Sequence, residues 1–467
     1  MPRTTLALTS FVSGELGAKL DGRTDFAKYS TGAKTLENFL VHPQGSATRR
    51  VGTKFIAEVK DSSKKTRLIP FEFSTTQTYI LEFGDQYMRV YKDKGQVLSG
   101  GSPFEISTPF LEAELFDIKF AQSADVMYLC HPNHDVRKLS RTGHTAWTLA
   151  TVSFTGSPSL PISGANNRPS CVSFFEQRLV FANTITNPQT LWFSKAGDYE
   201  NFTTGTNADD AMIYTIASNQ VNAIQYLKAV RTLVVGTSGG EFTVSADGTD
   251  ASITPTNVTI KRQSSFGSAG VDAIPAGNAV LFLQKAKRKI RELAYNFDSD
   301  GYVAPDLTIL NDTVTKSGVN QMIFQQEPDS IIWCVRDDGV LAGLTYQRSE
   351  NVVAWHRHIF GGAFGSGNSV CESAASISGT LTEDELWVIV KRTINGATKR
   401  YVECFSDFDF DETTATDFKF LDSHLNYSGS ATTTLSGLSH LEGQTVSILA
   451  DGSVHANKVV SSGAITL

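Results

Sequence analysis

Short apolar runs occur in pairs joined by turn-forming residues along most of the chain, from about residue 66 to residue 410. In "TYILEFGDQYMRVY", two alternating runs meet at Gly84-Asp85, which predicts a β-hairpin. Other pairs start near Phe174, Ala223, Ala279, Ile331 and Glu385. Their spacing of roughly 50 residues is the length of one four-stranded propeller blade. The pattern predicts a mainly β fold, with a β-propeller of about six or seven blades over residues 66–410.

The two ends of the chain follow other patterns. Residues 1–65 are predicted to form an N-terminal docking segment with a short helix, for which Thr24 is a candidate N-cap. The apolar face of that helix would comprise Phe26, Ala27, Tyr29, Ala33, Leu36, Phe39 and Leu40. Residues 411–467 are rich in Thr, Ser and Gly and predict a small C-terminal β module. Because the chain stops on the apolar run "AITL", we expect this module to be incomplete.

Composition supports the β interpretation and limits the function classes. Apolar residues make up 40% of the chain, enough for a sizeable core, while charged residues make up only 19% and glycines number 37. The formal net charge is −7. Proteins that grip nucleic acid over a broad surface need an excess of Lys and Arg, so this class is disfavoured. A conduit through which DNA slides remains compatible with a net negative charge.

The cysteines and the N-terminus indicate where the chain is made. Five cysteines lie far apart, without a CxxC or zinc spacing, and several fall inside apolar runs. We predict buried free thiols, made in a reducing cytoplasm. The N-terminus lacks the apolar core of a secretion signal, and no run approaches the 18 apolar residues of a membrane span. The sequence therefore predicts no stable membrane association.

Catalytic motifs are missing from the sequence. It has no GxSxG, HExxH or Walker motif, and the Gly-rich stretch "GTSGGEF" lacks the lysine of a phosphate-binding loop. We therefore predict that the protein is not an enzyme and that it needs no cofactor.

Two histidine pairs are candidates for metal binding. His131 and His134 frame "HPNH", and His356 and His358 frame "WHRH". Residues two apart on a strand share a face, so His356 and His358 could reach one ion. No carboxylate or third histidine lies nearby in the sequence, which favours an exposed strand face over a metal site.

The segment "NFDSDG" is the best candidate for calcium. Asn296, Asp298 and Asp300 precede Gly301 in the order of a calcium loop, but the twelfth position, which should be Glu, is Leu307. The flanking segments are predicted strands rather than helices. A polar connecting loop is the favoured interpretation, and calcium binding is the alternative.

A second acidic stretch, "DFDFDE", would place alternate aspartates on one face of an extended segment: Asp407, Asp409 and Asp411. Paired acids serve glycosidases, but three adjacent carboxylates repel one another, and a solvated strand edge is favoured.

Two basic stretches are candidate contacts with DNA or with a neighbouring subunit. In "QKAKRKIRE", Lys285, Lys287 and Arg288 fall at or near a predicted hairpin tip. Arg49 and Arg50 lie in the predicted loop "PQGSATRRVG". Each stretch could be a solvated turn, or a positive ring when repeated around a symmetric oligomer.

Several segments together resemble one known family. "GELGAKLDGRTDFAKYSTGAKTLENF" and "PQGSATRRVGTKFI" resemble the N-terminus of the tail nozzle proteins of podoviruses, the short-tailed bacteriophages; these are also called tail tubular protein B. "RLIPFEFSTTQTYILEFGDQYMRVY", "RLVFANTITNPQTLWFSKAGDYENF" and "VLFLQKAKRKIRELAYNFDSDGYVAPDLT" resemble later parts of the same proteins. The resemblance covers roughly residues 11 to 310 and is specific as a set of segments.

The resemblance implies a structural protein of the virion tail, assembled in the cytoplasm of the host bacterium. It implies a hexamer below the adaptor ring that encloses the DNA exit channel, helps to retain packaged double-stranded DNA, conducts it during ejection, and carries or adjoins tail fibres. Two other functions stay open: a tail-associated carbohydrate-binding or depolymerising propeller, and a host cytoplasmic propeller scaffold. The lack of a recurring blade signature such as WD or kelch disfavours the scaffold.

Overall fold

The chain forms a seven-bladed β-propeller with additional segments at both ends. In a computed structural model, the described residues are 8–156, 158–217, 220–248, 251–379, 383–407 and 418–467. They fall into two compact units, residues 1–104 with 323–467 and residues 105–322. All helices of the described residues are short 3₁₀ turns: Ala18–Leu20, Ala27–Thr31, Glu112–Asp117, Arg348–Glu350 and Ser439–Leu441. None of the helices in this part of the chain is long and apolar enough to cross a membrane.

The second unit contains four complete antiparallel sheets, blades 2 to 5. Blade 2 consists of Lys119–Ser123, Val126–His131, His134–Gly143 and Ala146–Thr151. Blade 3 consists of Cys171–Phe175, Arg178–Ala182, Thr190–Phe193 and Met212–Thr215. Blade 4 consists of Ile224–Ala229, Leu233–Thr237, Gly240–Ser245 and Thr259–Ser264. Blade 5 consists of Ile274–Ala276, Ala279–Leu283, Ile290–Asn296 and Gly301–Val303. A short strand, Glu105–Ser107, begins this unit.

The first unit contains the other blades. Blade 1 is built on Arg67–Ser74, Gln77–Gly84 and Tyr87–Lys92. Blade 6 consists of Val319–Gln325, Ile331–Arg336, Leu341–Gln347 and Val352–His358, the first of which spans the boundary between the units. Blade 7 consists of Val370–Ser378, Asp384–Ile394, Ala397–Phe405 and Thr53–Glu58. Outside the C-terminal segment, the remaining strands of this unit are short: Gly14–Glu15, Gly32–Ala33, Phe39–Val41, Ala47–Arg49, Gly95–Gln96, Leu98–Ser99, Ser102–Pro103, Ala363–Phe364 and Gly367–Asn368.

The hairpin prediction at Gly84-Asp85 is confirmed, because the strands on either side pair in antiparallel register with Gly84 opposite Tyr87. Central blade strands carry continuous apolar runs, since both of their faces are covered by neighbouring blades. Arg178–Ala182 is buried at all five positions, for example. Val180 of blade 3 and Val235 of blade 4 belong to one buried apolar cluster, and Phe181 of blade 3 and Tyr128 of blade 2 belong to another. Within each unit, the core thus consists of apolar layers between successive blades.

Blade 7 joins the two ends of the propeller segment. Its outermost strand, Thr53–Glu58, comes from the N-terminal side, and its other three strands come from residues 370–405. Glu58 pairs with Tyr401, and Thr53 pairs with Phe405. The propeller therefore draws one strand from the predicted docking segment 1–65.

The predicted N-terminal helix is not formed as an α-helix. Residues 27–31 form a single 3₁₀ turn, and the supposed helical face continues into the short strands Gly32–Ala33 and Phe39–Val41. Leu36 and Val41 instead pack with Val352 and Ala354 of blade 6. Packing against a strand overrides the weak helical periodicity.

The described part of the C-terminal segment, residues 418–467, has a small core of its own. Its strands are Thr434–Ser436, Thr445–Ala450, Ser453–Val459 and Ala464–Thr466. They form two two-stranded sheets. The buried apolar residues of this segment are Ile448 and Ile465 on the strands and Val460 directly after the strand Ser453–Val459.

Candidate functional site

The basic loop, residues 284–289, connects two central strands of blade 5, as the sequence predicts. Lys285, Lys287, Arg288 and Lys289 are all exposed, while Leu283 and Ile290 on either side are buried. The Lys289 Nζ lies 2.8 Å from an Asp306 oxygen. Within the described ranges, no carboxylate forms an ion pair with the other three side chains. They present positive charge to solvent.

Backbone hydrogen bonds hold the basic loop in one shape. The Gln284 N–H donates to the Lys289 carbonyl at 2.8 Å, and the Lys287 N–H donates to the Gln284 carbonyl at 2.8 Å. From outside the loop, the Thr315 hydroxyl donates to the Arg288 carbonyl at 2.5 Å. The loop is therefore a fixed platform for its cationic side chains.

Arg49 and Arg50 differ completely in their surroundings. Arg49 is exposed, with its guanidinium 5.6 Å from the centre of the Phe420 ring. Arg50 is 4% exposed and makes two hydrogen bonds to the Asp422 carboxylate, at 2.7 and 2.6 Å. It also donates to the carbonyl of Ile359 at 3.0 Å. The predicted contact role of Arg50 is wrong, because its guanidinium is buried and used within the first unit.

The candidate calcium ligands are engaged by their own turn. The Asn296 side-chain oxygen accepts from the Ser299 N–H at 3.1 Å, and Asp300 accepts from the Tyr295 hydroxyl at 2.6 Å. Asp298 and Asp300 are exposed. These contacts describe a polar connecting turn, which is the interpretation favoured by the sequence, and calcium binding there stays the untested alternative.

Of the three aspartates in "DFDFDE", only Asp407 lies within the described residues, and it pairs with the Lys94 ammonium. Asp409 and Asp411 lie outside them.

His356 and His358 do not lie on an exposed face, so that expectation is wrong. Both rings are fully buried in blade 6, and His356 Nδ1 lies 2.6 Å from His358 Nε2. Burial, and to a lesser extent the neighbouring His42, lower the pKa of His356 to about 3. Burial, then His356 and Arg50, hold the pKa of His358 well below its usual value. The two histidines are therefore a neutral part of the core. The alternation of polar and apolar residues along the strand did not indicate that they are buried.

His131 and His134, in contrast, meet a carboxylate that the sequence did not suggest. Three potential ligand atoms, one each from Glu114, His131 and His134, lie within 4.8 Å of one another. The His134 Nε2 is 2.7 Å from a Glu114 oxygen. Burial opposes ionisation of Glu114, but hydrogen bonds from Leu111, His134 and Asn133 outweigh it and lower its pKa to about 2. Burial lowers the pKa of His131. We call these three residues the Glu-His-His cluster.

A groove of about 470 Å³ opens on the second unit. Its walls come from the ends of strands in blades 2, 3 and 4 and from the turn at Glu176-Gln177, where both residues have positive φ (45° and 59°). Phe174 and Tyr199 form its aromatic part, with ring centres 5.0 Å apart in an edge-to-face arrangement. Gln122, Glu176, Gln177 and Arg231 supply polar groups.

The five cysteines are buried and free, as the sequence predicts.

Comparison with known proteins finds distant structural neighbours alone. No family model matches the chain, and a search of curated proteins finds no match. The β-propeller domain of Myceliophteria thermophila Cps50 (Swd1) is 9% identical, with 75% of this chain and 99% of that chain covered and a TM-score of 0.43. The WD40 repeats of RRP9 are 8% identical, with 77% and 99% covered and a TM-score of 0.47. These similarities carry no information about function.

Proposed function

We propose that the protein is a structural subunit of the tail nozzle of a short-tailed phage, an oligomeric ring that closes the DNA exit channel and conducts DNA during ejection. The observation that carries the proposal is the set of resembling segments over roughly residues 11 to 310. Three of these segments coincide with strands of blades 1, 3 and 5 and with the turns between them. They are therefore distributed over the propeller, as expected for a relative of the whole nozzle architecture.

The partners of the proposed nozzle follow from the same resemblance. The chain would form a homo-oligomer, with six copies expected, and would bind the adaptor ring and the tail fibres in the virion. In a symmetric ring the basic loop would be repeated once per subunit, forming a positive band in an otherwise net-negative protein. Such a band can contact the phosphate backbone without the broad grip of a DNA-binding protein.

Oligomeric state and tail function together test the proposal. Purified protein should form rings in negative-stain images, and phage made without it should produce tails that fail to close or to retain DNA. A monomer without rings, combined with tails that close and retain DNA in its absence, would overturn the nozzle function.

Charge reversal in the basic loop tests the part assigned to it. Lys287→Glu with Arg288→Glu should leave folding intact, because both side chains are exposed, but should alter assembly or DNA release. Lys261→Glu with Lys316→Glu makes the same charge change at exposed positions of the same unit and should leave both properties unchanged. Loss of soluble protein in the loop variant alone, or equal effects of the two variants, would contradict the assignment.

One observation favours the second candidate, a carbohydrate-binding or depolymerising tail propeller. The groove lined by Phe174 and Tyr199 combines aromatic rings with carboxylate, amide and guanidinium groups, which suits stacking and hydrogen bonding to a sugar. Binding or cleavage of capsule or lipopolysaccharide that is lost in Tyr199→Ala would support this function. Particles that neither bind nor cleave these polysaccharides would argue against it.

A further inference from the structure

We propose that the Glu-His-His cluster (Glu114, His131 and His134) is a binding site for a divalent transition metal ion of the zinc type. This inference is independent of the proposed nozzle function. Its three ligand atoms lie within 4.8 Å of one another, and they come from segments held together by the fold rather than from a single loop.

The two histidines are fixed by the turn between two strands of blade 2. His131 ends one strand and His134 begins the next, and they face each other directly across the Pro132-Asn133 turn. Directly opposed residues in an antiparallel pair have Cβ atoms about 4.5–5.5 Å apart, so both rings can turn toward one point. The ring centres are 5.3 Å apart.

Glu114 is positioned independently, on the 3₁₀ turn Glu112–Asp117. The Leu111 N–H donates to its Oε2 at 3.0 Å, and the Asn133 side-chain amide donates to its Oε1 at 2.9 Å. Hydrogen bonds of this kind orient metal-binding carboxylates in known sites. Asn133 therefore links the carboxylate to the hairpin that carries both imidazoles.

His131 provides the observation that points to a ligand. It is 2% exposed, and its Nε2 is buried without a hydrogen-bond partner among the residues that the structure describes. Its Nδ1 accepts from the Asn133 N–H at 3.1 Å, which places the ring proton on the unsatisfied Nε2. An ion bound at Nε2 would shift that proton to Nδ1 and open the Asn133 bond. The site would exchange one weak hydrogen bond for a metal–nitrogen bond.

The donor set selects the class of metal. Two imidazoles and one carboxylate suit zinc and its neighbours, whereas calcium and magnesium prefer oxygen ligands alone. Tetrahedral zinc needs ligand atoms about 3.3 Å apart. The 2.7 Å contact between His134 and Glu114 would therefore lengthen, with the ion replacing the shared proton, while His131 would move closer.

The ion would act as a clamp between the 3₁₀ turn and the blade 2 hairpin. The side chains of His134 and Glu114 are 18% and 14% exposed, so an ion can enter from solvent and a fourth ligand can come from water. Phe110 packs edge-on against both imidazoles, at 5.1 Å from the His134 ring centre and 6.2 Å from the His131 ring centre.

Cobalt and zinc titrations of the untagged, chelator-treated full chain test the site. Cobalt(II) should give the intense visible absorption bands of tetrahedral coordination, and zinc should abolish them at one ion per chain. His134→Gln and Glu114→Gln should weaken zinc binding at least about 10-fold, measured by competition with a chromophoric chelator. His144→Ala, which removes an exposed imidazole from the next turn of the same sheet, should bind zinc like the unmodified chain.

Two outcomes would overturn the proposal. One is an unmodified chain that gives no tetrahedral cobalt spectrum and binds no zinc at one ion per chain. The other is unchanged affinity in His134→Gln, which would place any bound zinc elsewhere. Circular dichroism of each variant separates loss of binding from loss of folding, and the unmodified chain tests the site even if a variant fails to fold.

Discussion

Replacing Arg392 with Met should destabilise the protein far more than removing an ordinary surface charge. Arg392 and Glu403 lie on neighbouring central strands of blade 7 and are 2% and 0% exposed at their side chains. Two guanidinium nitrogens contact the two carboxylate oxygens, and Arg392 Nε also donates to the Gly361 carbonyl at 2.8 Å. The Thr53 hydroxyl donates to the same carboxylate at 2.6 Å. The substitution would remove both guanidinium donors, so that the buried Glu403 carboxylate would keep only the Thr53 hydroxyl of the donors named here.

The size of the effect follows from burial. Breaking a buried ion pair by removing one partner costs about 3–5 kcal/mol, because an uncompensated charge stays in the core. Exposed pairs contribute only about 0.2–1 kcal/mol, since water already solvates both groups. Arg23 and Asp25 form such a pair, with side chains 56% and 67% exposed. Arg23→Met is therefore the matched control, with the same substitution on an exposed pair.

Urea denaturation followed by tryptophan fluorescence measures both effects, because Trp387 is buried on the same strand as Arg392. We expect Arg392→Met to lower the free energy of unfolding by about 3–5 kcal/mol and Arg23→Met to lower it far less, because water already solvates the exposed pair. Adding Glu403→Leu to Arg392→Met should recover part of the loss, because the buried charge is removed. A loss in Arg392→Met no larger than in the control, or no recovery in the double variant, would refute this reasoning.

Three further predictions concern pH, backbone packing and thiol reactivity. Because His356 and His358 have lowered pKa values in the fold, the unfolded chain takes up protons below pH 6.5 that the folded chain does not. The free energy of unfolding should therefore fall by about 1.4 kcal/mol per pH unit for each ring as the pH drops below 6.5. A free energy of unfolding that stays constant from pH 7 to pH 5 would contradict this. Gly14→Ala should destabilise the protein by about 2 kcal/mol or more and expose the N-terminal segment to protease. The new Cβ would lie 2.2 Å from the backbone nitrogen of Trp355, and residue 14 has a φ of +66°. Gly22→Ala is the control, because its φ is +76° and no atom lies within 4 Å of the added Cβ, so that it should show the backbone cost alone. Equal protease sensitivity of the Gly14 and Gly22 variants would refute the packing argument. Burial shields all five thiols and raises their pKa, so a thiol reagent should label none of them in the native protein and all five after denaturation. Rapid labelling of the native protein would show that the cysteines are not buried.

Local chemistry made the blades predictable from sequence. Each hairpin carries its own alternation and its own turn residues, as at Gly84-Asp85, and these signals need no distant partner. The spacing of roughly 50 residues between blades was predictable from the same signals, because one blade consists of four such strands. The basic loop was predictable for the same reason, since its charged tip lies between two short apolar runs.

Contacts between distant residues were not predictable in this way. Arg50 finds its carboxylate at Asp422, and nothing in the local pattern "TRRVG" distinguishes a buried arginine from an exposed one. Glu114 reaches His134 only because the 3₁₀ turn packs beside the hairpin. A single sequence shows neither pairing, whereas an alignment in which these positions vary together would have revealed both.

The strand Thr53–Glu58 also has a consequence for how the protein is made. It leaves the ribosome early, but the strand that it pairs with, Ala397–Phe405, follows roughly 350 residues later. At synthesis rates of about 5–20 residues per second, this edge waits on the order of 20 to 70 s for its partner. During that interval every nascent chain carries an unpaired strand next to others on the same message. The last blade to be completed thus sets the period in which the growing polypeptide is most exposed to pairing with the wrong copy.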